Sequence, residues 1–172
     1  MNKERLYKQL KADEGEVCKV YRDHLGYLTF GIGHLITQKD PEMDWAIGTP
    51  VSPERVRECF DRDVGTSITE IGNMVKDFDD KPDIVQEILV NMLFNLGYHR
   101  LSQFKKFLKA IKENNWQEAA KEGRDSRWYT QVTFRAERLM SKLEELDPIY
   151  PTTEHDESDD IEDVKRFSDS NV

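Results

Sequence analysis

Val17-Cys18-Lys19-Val20-Tyr21-Arg22-Asp23-His24-Leu25-Gly26-Tyr27-Leu28-Thr29-Phe30-Gly31-Ile32-Gly33-His34 breaks an otherwise helical pattern and decides the fold class. Residues 17–22 and 27–30 are rich in β-branched and aromatic side chains and predict two short strands. Asp23-His24-Leu25-Gly26 supplies the turn between them, and Gly31 and Gly33 carry the chain sharply onward. On either side the apolar spacing changes to three and four residues. Residues 2–13 predict a helix capped by Asn2, with Leu6, Tyr7 and Leu10 on one side and Gly15 as its stop. Ser52-Pro53-Glu54 is a strong helix start, combining a cap, a proline in the first turn and an acid near the positive dipole end. Val56, Phe60, Val64, Ile68, Ile71 and Val75 follow as the stripe of one long amphipathic helix of about six turns.

Residues 80–82 break that helix, and 38–50, with Pro41, Gly48 and Pro50, read as a loop. Residues 83–96 are apolar almost all round, which predicts the buried centre of a larger lobe ended by Gly97. Phe104, Phe107, Leu108 and Ile111 mark a further helix, residues 116–120 a short one, and Phe134, Leu139, Met140 and Leu143 another. Trp116, Trp128 and Phe104 fall within helical patterns and are assigned to the core. The fold class is α+β, predominantly α, with two lobes. A small β-sheet lobe (about 14–60) and a larger helical lobe (1–13 and 65–151) are joined by the long helix. The domain spans 1–151, closed by Pro148 and Pro151. An acidic tail at 152–172 follows, either without fixed structure or forming a short helix through Ile161, Val164 and Phe167.

The 172 residues suffice for one domain with a real core, and 37% hydrophobic with 34% charged residues is ordinary for a soluble globular protein. The net charge of −9 is uneven, because the tail holds 8 acids and 2 bases and leaves the body at −3. No basic cluster appears, which argues against a nucleic-acid partner. No apolar run approaches the roughly 20 residues of a membrane span. The N-terminus lacks the apolar core of a signal peptide, which predicts synthesis in a cytoplasm and release by another agent. Cys18 and Cys59 are too few for a disulfide framework and have no metal-ligand spacing. Both are read as small buried thiols, and no metal or cofactor site is expected.

Glycoside hydrolysis needs two carboxyl positions facing a cleft, one protonated and one ionised. Glu14 ends the first helix, where the negative end of the helix dipole disfavours the ionised form. Asp23 lies in a solvated turn and should stay ionised, and Thr29 on the returning strand could hold a water beside it. Thirty-four acids guarantee many such pairs, and taken alone this one reads as surface charges at a helix end and a turn.

Asp13-Glu14-Gly15, Tyr21-Arg22-Asp23, Gly26-Tyr27, Thr29 and Gly31-Ile32-Gly33-His34 together resemble the catalytic segment of the phage lysozymes of the T-even kind. The resemblance continues through Asn91-Met92, Phe94, Gly97, Trp116, Glu118-Ala119-Ala120, Ser126-Arg127-Trp128-Tyr129, Gln131, Arg135-Ala136 and Arg138, and lapses in the tail. It implies a lysozyme-like fold, with Glu14 as general acid, Asp23 as second carboxylate and Thr29 placing the attacking water. It also implies that Leu35 and Phe94 line the saccharide cleft, that Arg135 faces the acid, and that His34 and Asp63 form a structural ion pair. The implied substrate is peptidoglycan, cut between N-acetylmuramic acid and N-acetylglucosamine without metal or cofactor. Phe107 and Glu122 stand where T-even relatives carry a serine and an asparagine that touch substrate. An aromatic at 107 could stack on a sugar, and an acid at 122 could repel the anionic wall. The 38–51 loop is shorter than in those relatives, with a helix of the smaller lobe reduced.

The resulting expectation is a monomeric muramidase acting as an endolysin, with inversion at the anomeric centre. It would be made in the host bacterial cytoplasm and released to the periplasmic wall by a separate holin-type protein. A catalytically silent saccharide-binding protein is the rival from another class, and a helical interaction protein the third. Retention of Glu14, Asp23 and Thr29 together argues against the binder, and the interaction protein would have to explain away the whole 13–34 segment.

Overall fold

Two apolar cores share one helix, and that helix sets the architecture. The computed structural model describes residues 1–146; the sequence expectations for Pro148, Pro151 and the tail lie outside the described residues. The small core gathers Val20, Phe30, Ile36, Val51, Val56 and Cys59. Its sheet is antiparallel in the order β1 (Val17–Arg22), β2 (Leu28–Gly31), β3 (His34–Leu35). Tyr21 stands opposite Thr29, and Thr29 opposite Leu35, so these three lie side by side across the sheet. A 3-10 turn, Pro41–Asp44, follows in the loop.

Helix α2 (Pro53–Met74) begins as its sequence demands, with the Ser52 hydroxyl accepting from the Arg55 amide at 3.2 Å. Val56 and Cys59 in its first turns enter the small core, while Phe60, Val64 and Ile71 enter the large one. A single apolar stripe thus has two customers, and the chain divides into lobes without dividing into domains.

The large core surrounds α3 (Asp83–Leu101), whose residues 85–93 are all buried. Three of these are polar, and each is matched. Glu87 accepts two bonds from Arg5 at 2.7 Å and one from the Asn2 amide at 3.0 Å. Gln86 donates to the carbonyls of Asp79 and Lys81, and Asn91 serves the site described below. Burying such groups unpaired would cost several kcal/mol, roughly 1–3 each. Gly97 breaks α3 with φ 71° and ψ 162°, a conformation that a side chain disfavours. Leu6 and Leu10 of α1 (Lys3–Glu14) pack onto this core, and Asn2 caps α1 through the Arg5 amide at 2.9 Å. Helices α4 (Lys105–Lys112), α5 (Trp116–Arg124), α6 (Arg127–Gln131) and α7 (Thr133–Glu144) complete the lobe. Among the described residues no helix is long and apolar enough to cross a membrane.

The structure corrects several sequence expectations. Strand β3 and helix α6 were not expected; β3 is two residues long and owes its form to pairing with β2, not to a local pattern. Cys18 is exposed on β1, while Cys59 is buried as expected. Phe134 is 96% exposed, because the stripe that α7 buries is Arg135, Ala136, Leu139, Met140 and Leu143. Trp116 and Trp128 are core, and Phe104 packs half-buried against Trp128.

Candidate active site

Asp13 and Glu14 are the last two residues of α1, about 100° apart around the helix, so one turns inward and its neighbour toward solvent. The Asp13 side chain is 5% exposed and accepts from Arg138 at 2.6 and 2.7 Å and from the Asn91 side-chain amide at 2.9 Å. The Glu14 side chain is 28% exposed, and its Oε1 accepts from Arg135 Nη1 at 2.5 Å. Arg135 is itself fixed from two other directions. Its Nε donates to Asn91 Oδ1 at 2.8 Å and its Nη2 to the Asn91 carbonyl at 2.9 Å. Helices α1, α3 and α7 therefore converge on the end of Glu14.

Asp23 is shaped by its own turn. Its Oδ1 accepts from the amides of Leu25 and Tyr27, both at 2.9 Å, while its amide donates to the Tyr27 carbonyl at 2.9 Å. Oδ2 takes no hydrogen bond among the described residues. Thr29 is 4% exposed, and its hydroxyl donates to the Tyr27 carbonyl at 3.0 Å. Tyr21, beside Thr29 in the sheet, links the two carboxylates electrostatically. Burial chiefly, then the charges of Asp23 and Glu14, push its phenol above the ordinary value. The small lobe thus brings Asp23, Thr29 and Tyr21 together, and the large lobe brings Glu14 and Arg135.

Leu35 and Phe94 meet in one cavity of about 450 Å³, with Leu35 49% exposed and Phe94 half-buried. Phe107 and Glu122 belong to a different cavity, of about 720 Å³, lined also by Phe104, Trp128 and Gln131 on the helical lobe. Neither cavity is lined by Glu14 or Asp23, so the carboxylates stand outside both. The reading of Phe107 as a stacking platform is corrected: it is 1% exposed and packs edge-on against Phe104 at 6.4 Å, leaving no face for a sugar. Glu122 approaches Lys106 at 3.7 Å, which offsets the charge expected to repel an anionic wall. His34 Nδ1 lies 2.8 Å from Asp63, as the resemblance implied.

Sequence reasoning gave no role to Asn91, Asp13 or Tyr21. Asn91 carried a signal, since an amide between Val90 and Met92 in an apolar helix must find partners. Which partners they are depends on α1 and α7, remote in the chain.

The chain matches the family model described as phage lysozyme over residues 11–143. It is 35% identical to probable T4-type lysozyme 2 of Dictyostelium discoideum, over 81% of this chain and 93% of that protein. Probable T4-type lysozyme 1 of the same organism is 32% identical, over 78% of this chain and 91% of its own length. Peptidoglycan hydrolase gp36 of Pseudomonas phage phiKMV is 30% identical over 78% of this chain, which spans only 14% of that protein.

Proposed function

The chain belongs to the phage lysozyme family, and from that premise we propose a peptidoglycan-degrading lysozyme that cuts the β-1,4 bond between N-acetylmuramic acid and N-acetylglucosamine with inversion. Protonated Glu14 gives its proton to the glycosidic oxygen as the bond to the anomeric carbon breaks. A water attacks that carbon from the opposite face and passes a proton to Asp23. Arg135 stabilises the carboxylate that Glu14 becomes, which is where the charge develops.

The observation that carries the stereochemical reading is the bonding of Thr29. Its hydroxyl proton is committed to the Tyr27 carbonyl, so its lone pairs are left to accept. Asp23 Oδ2 is a second acceptor without a partner among the described residues. A water that donates one proton to each presents its own lone pair to the sugar. A direct nucleophilic role for Asp23 would leave the Thr29 lone pairs without a donor, its proton being held by the Tyr27 carbonyl. In an inverting enzyme the carboxyls stand about 6.5–9.5 Å apart, in a retaining one about 5–5.5 Å.

Peptidoglycan is then the partner, met as a monomer in the periplasm after a holin-type protein has released the enzyme from the host cytoplasm. Leu35 and Phe94 supply apolar contact with saccharide. NMR of the first-formed product, before mutarotation, tests the mechanism: the inverted anomer is expected, and the retained anomer would make Asp23 the nucleophile. Glu14→Gln keeps the shape without the transferable proton, so a folded variant should lose wall-clearing activity by orders of magnitude. Substantial lysis by that variant refutes the role of Glu14. Thr29→Glu or Thr29→His should change the stereochemical course or trap an adduct.

A further inference from the structure

We propose that Phe134 is a saccharide-binding residue, its exposed ring being the apolar platform on which one sugar of the glycan stacks beside Glu14. The inference rests on the lysozyme reading above and concerns surface that Leu35 and Phe94 do not supply. Both cavities leave the two carboxylates outside, yet the bond to be cut must lie between Glu14 and Asp23. A sugar next to that bond can find apolar contact only on surface beyond those cavities.

The packing of α7 against α1 fixes where Phe134 stands. Arg138 bonds Asp13 at the end of α1, and Lys142, one turn further along α7, shares a cavity of about 570 Å³ with Lys8, Gln9 and Ala12. The two helices are thus antiparallel, and going back along α7 leads past the end of α1. Phe134 lies four residues before Arg138 on the same face, about 6 Å along the axis, which carries it beyond Asp13. Arg135, the next residue, reaches Glu14 Oε1 and sets the same level. On the other lobe the Asp23 turn leaves Leu25 and Tyr27 exposed. Tyr21, beside that turn, feels the charges of both Asp23 and Glu14, so the turn and the end of α1 are close. Both lobes therefore present apolar side chains around the carboxylate pair.

The degree of exposure is the second sign. Among the described residues Phe134 is the most exposed large apolar side chain, at 96%, well ahead of Leu25 at 69%. Covering a phenyl ring is favourable, so a ring held in water keeps that gain for a ligand. The C–H face of a pyranose is flat and apolar, and it can lie on an aromatic ring while its hydroxyls stay in water. Arg138, on the same face of α7, is already paired with Asp13, so the platform is not crowded by an unpaired charge.

The test measures binding and turnover in the full chain. A tetrasaccharide of alternating N-acetylglucosamine and N-acetylmuramic acid is titrated by calorimetry into Glu14→Gln, with and without Phe134→Ala. Phe134→Ala should weaken binding about 3–10-fold, Phe134→Trp should restore it, and Phe134→Leu, apolar but not planar, should restore it only in part. Sugar C–H protons should shift upfield on binding through the ring current, and that shift should vanish in Phe134→Leu. With Glu14 intact, wall clearing by Phe134→Ala should show KM raised by a similar factor and kcat little changed, the pattern of lost binding. Phe134→Ala should keep the wild-type Tm, because the ring is exposed, and Ile47→Ala, at another exposed apolar side chain, should change neither binding nor KM. No binding of the tetrasaccharide, or equal binding and KM in Phe134→Ala, overturns the platform. Self-association that Phe134→Ala abolishes while KM stays constant also overturns it and assigns the ring to a second copy. A wild type that binds the tetrasaccharide but does not clear walls refutes the hydrolase reading alone, since affinity and ring current still decide the platform.

Discussion

Asn91→Ala removes the side chain that ties three helices together behind Glu14. Asn91 is fully buried on α3 and bonds two charged partners, accepting from Arg135 at 2.8 Å and donating to Asp13 at 2.9 Å. A hydrogen bond to a charged group is worth about 1.5–3 kcal/mol, which bounds the pair at about 3–6. Both partners keep other contacts: Arg138 still holds Asp13, and the carbonyl at 91 still holds Arg135 Nη2 at 2.9 Å. The expected loss is therefore near the lower end, about 2–4 kcal/mol. Urea unfolding at neutral pH measures it as a shift in midpoint at constant m-value. Arg135 also loses the anchor on its Nε, so its Nη1 is no longer fixed at Glu14. Clearing of a wall suspension should fall about tenfold, and the loss should appear in kcat more than in KM because saccharide contacts are untouched. A stability loss under about 1 kcal/mol together with full activity would show that Arg135 and Asp13 are held by other means.

Three further outcomes are expected. Gly123→Ala should destabilise by about 1–3 kcal/mol in thermal or urea unfolding, because the added carbon overlaps Met140 Sδ where α5 meets α7. Glu137 is held down to about 2 from its ordinary 4.5, first by the Arg124 guanidinium and then by the Ser141 hydroxyl. Its contribution is thus complete above about pH 4.5 and lost as pH falls toward 2, so Tm measured across that window should drop less steeply in Glu137→Gln than in wild type. Cutting the chain after Pro151 removes a net charge of −6 with few apolar residues. Stability should change by no more than about 2 kcal/mol, and sedimentation with walls should improve at low salt and converge with wild type as salt rises.

What the sequence made legible was whatever a single element carries. Asn2 and Ser52 announced α1 and α2 because a cap acts within three residues, and the α2 stripe announced both cores it serves. The order Glu14, Asp23, Thr29 was readable because a helix end and one hairpin hold all three. Features made by partners from elsewhere were not. Strand β3 exists by pairing with β2, and Phe134 lies one position off a stripe whose phase is set by packing against α3 and α5. Phe107 was offered to a sugar because it stands where T-even relatives carry a substrate-touching serine, yet it is buried in the core. The ion-pair cluster around His34 shows where the boundary falls. Cys59, Arg62 and Asp63 recur at three and four residues along α2 and so share a face, which the spacing alone implies. The loop after β3 brings Asp40 to that face, and β3 brings His34. Half of the cluster was therefore written as helical periodicity. The other half depended on a strand too short to leave any periodicity at all.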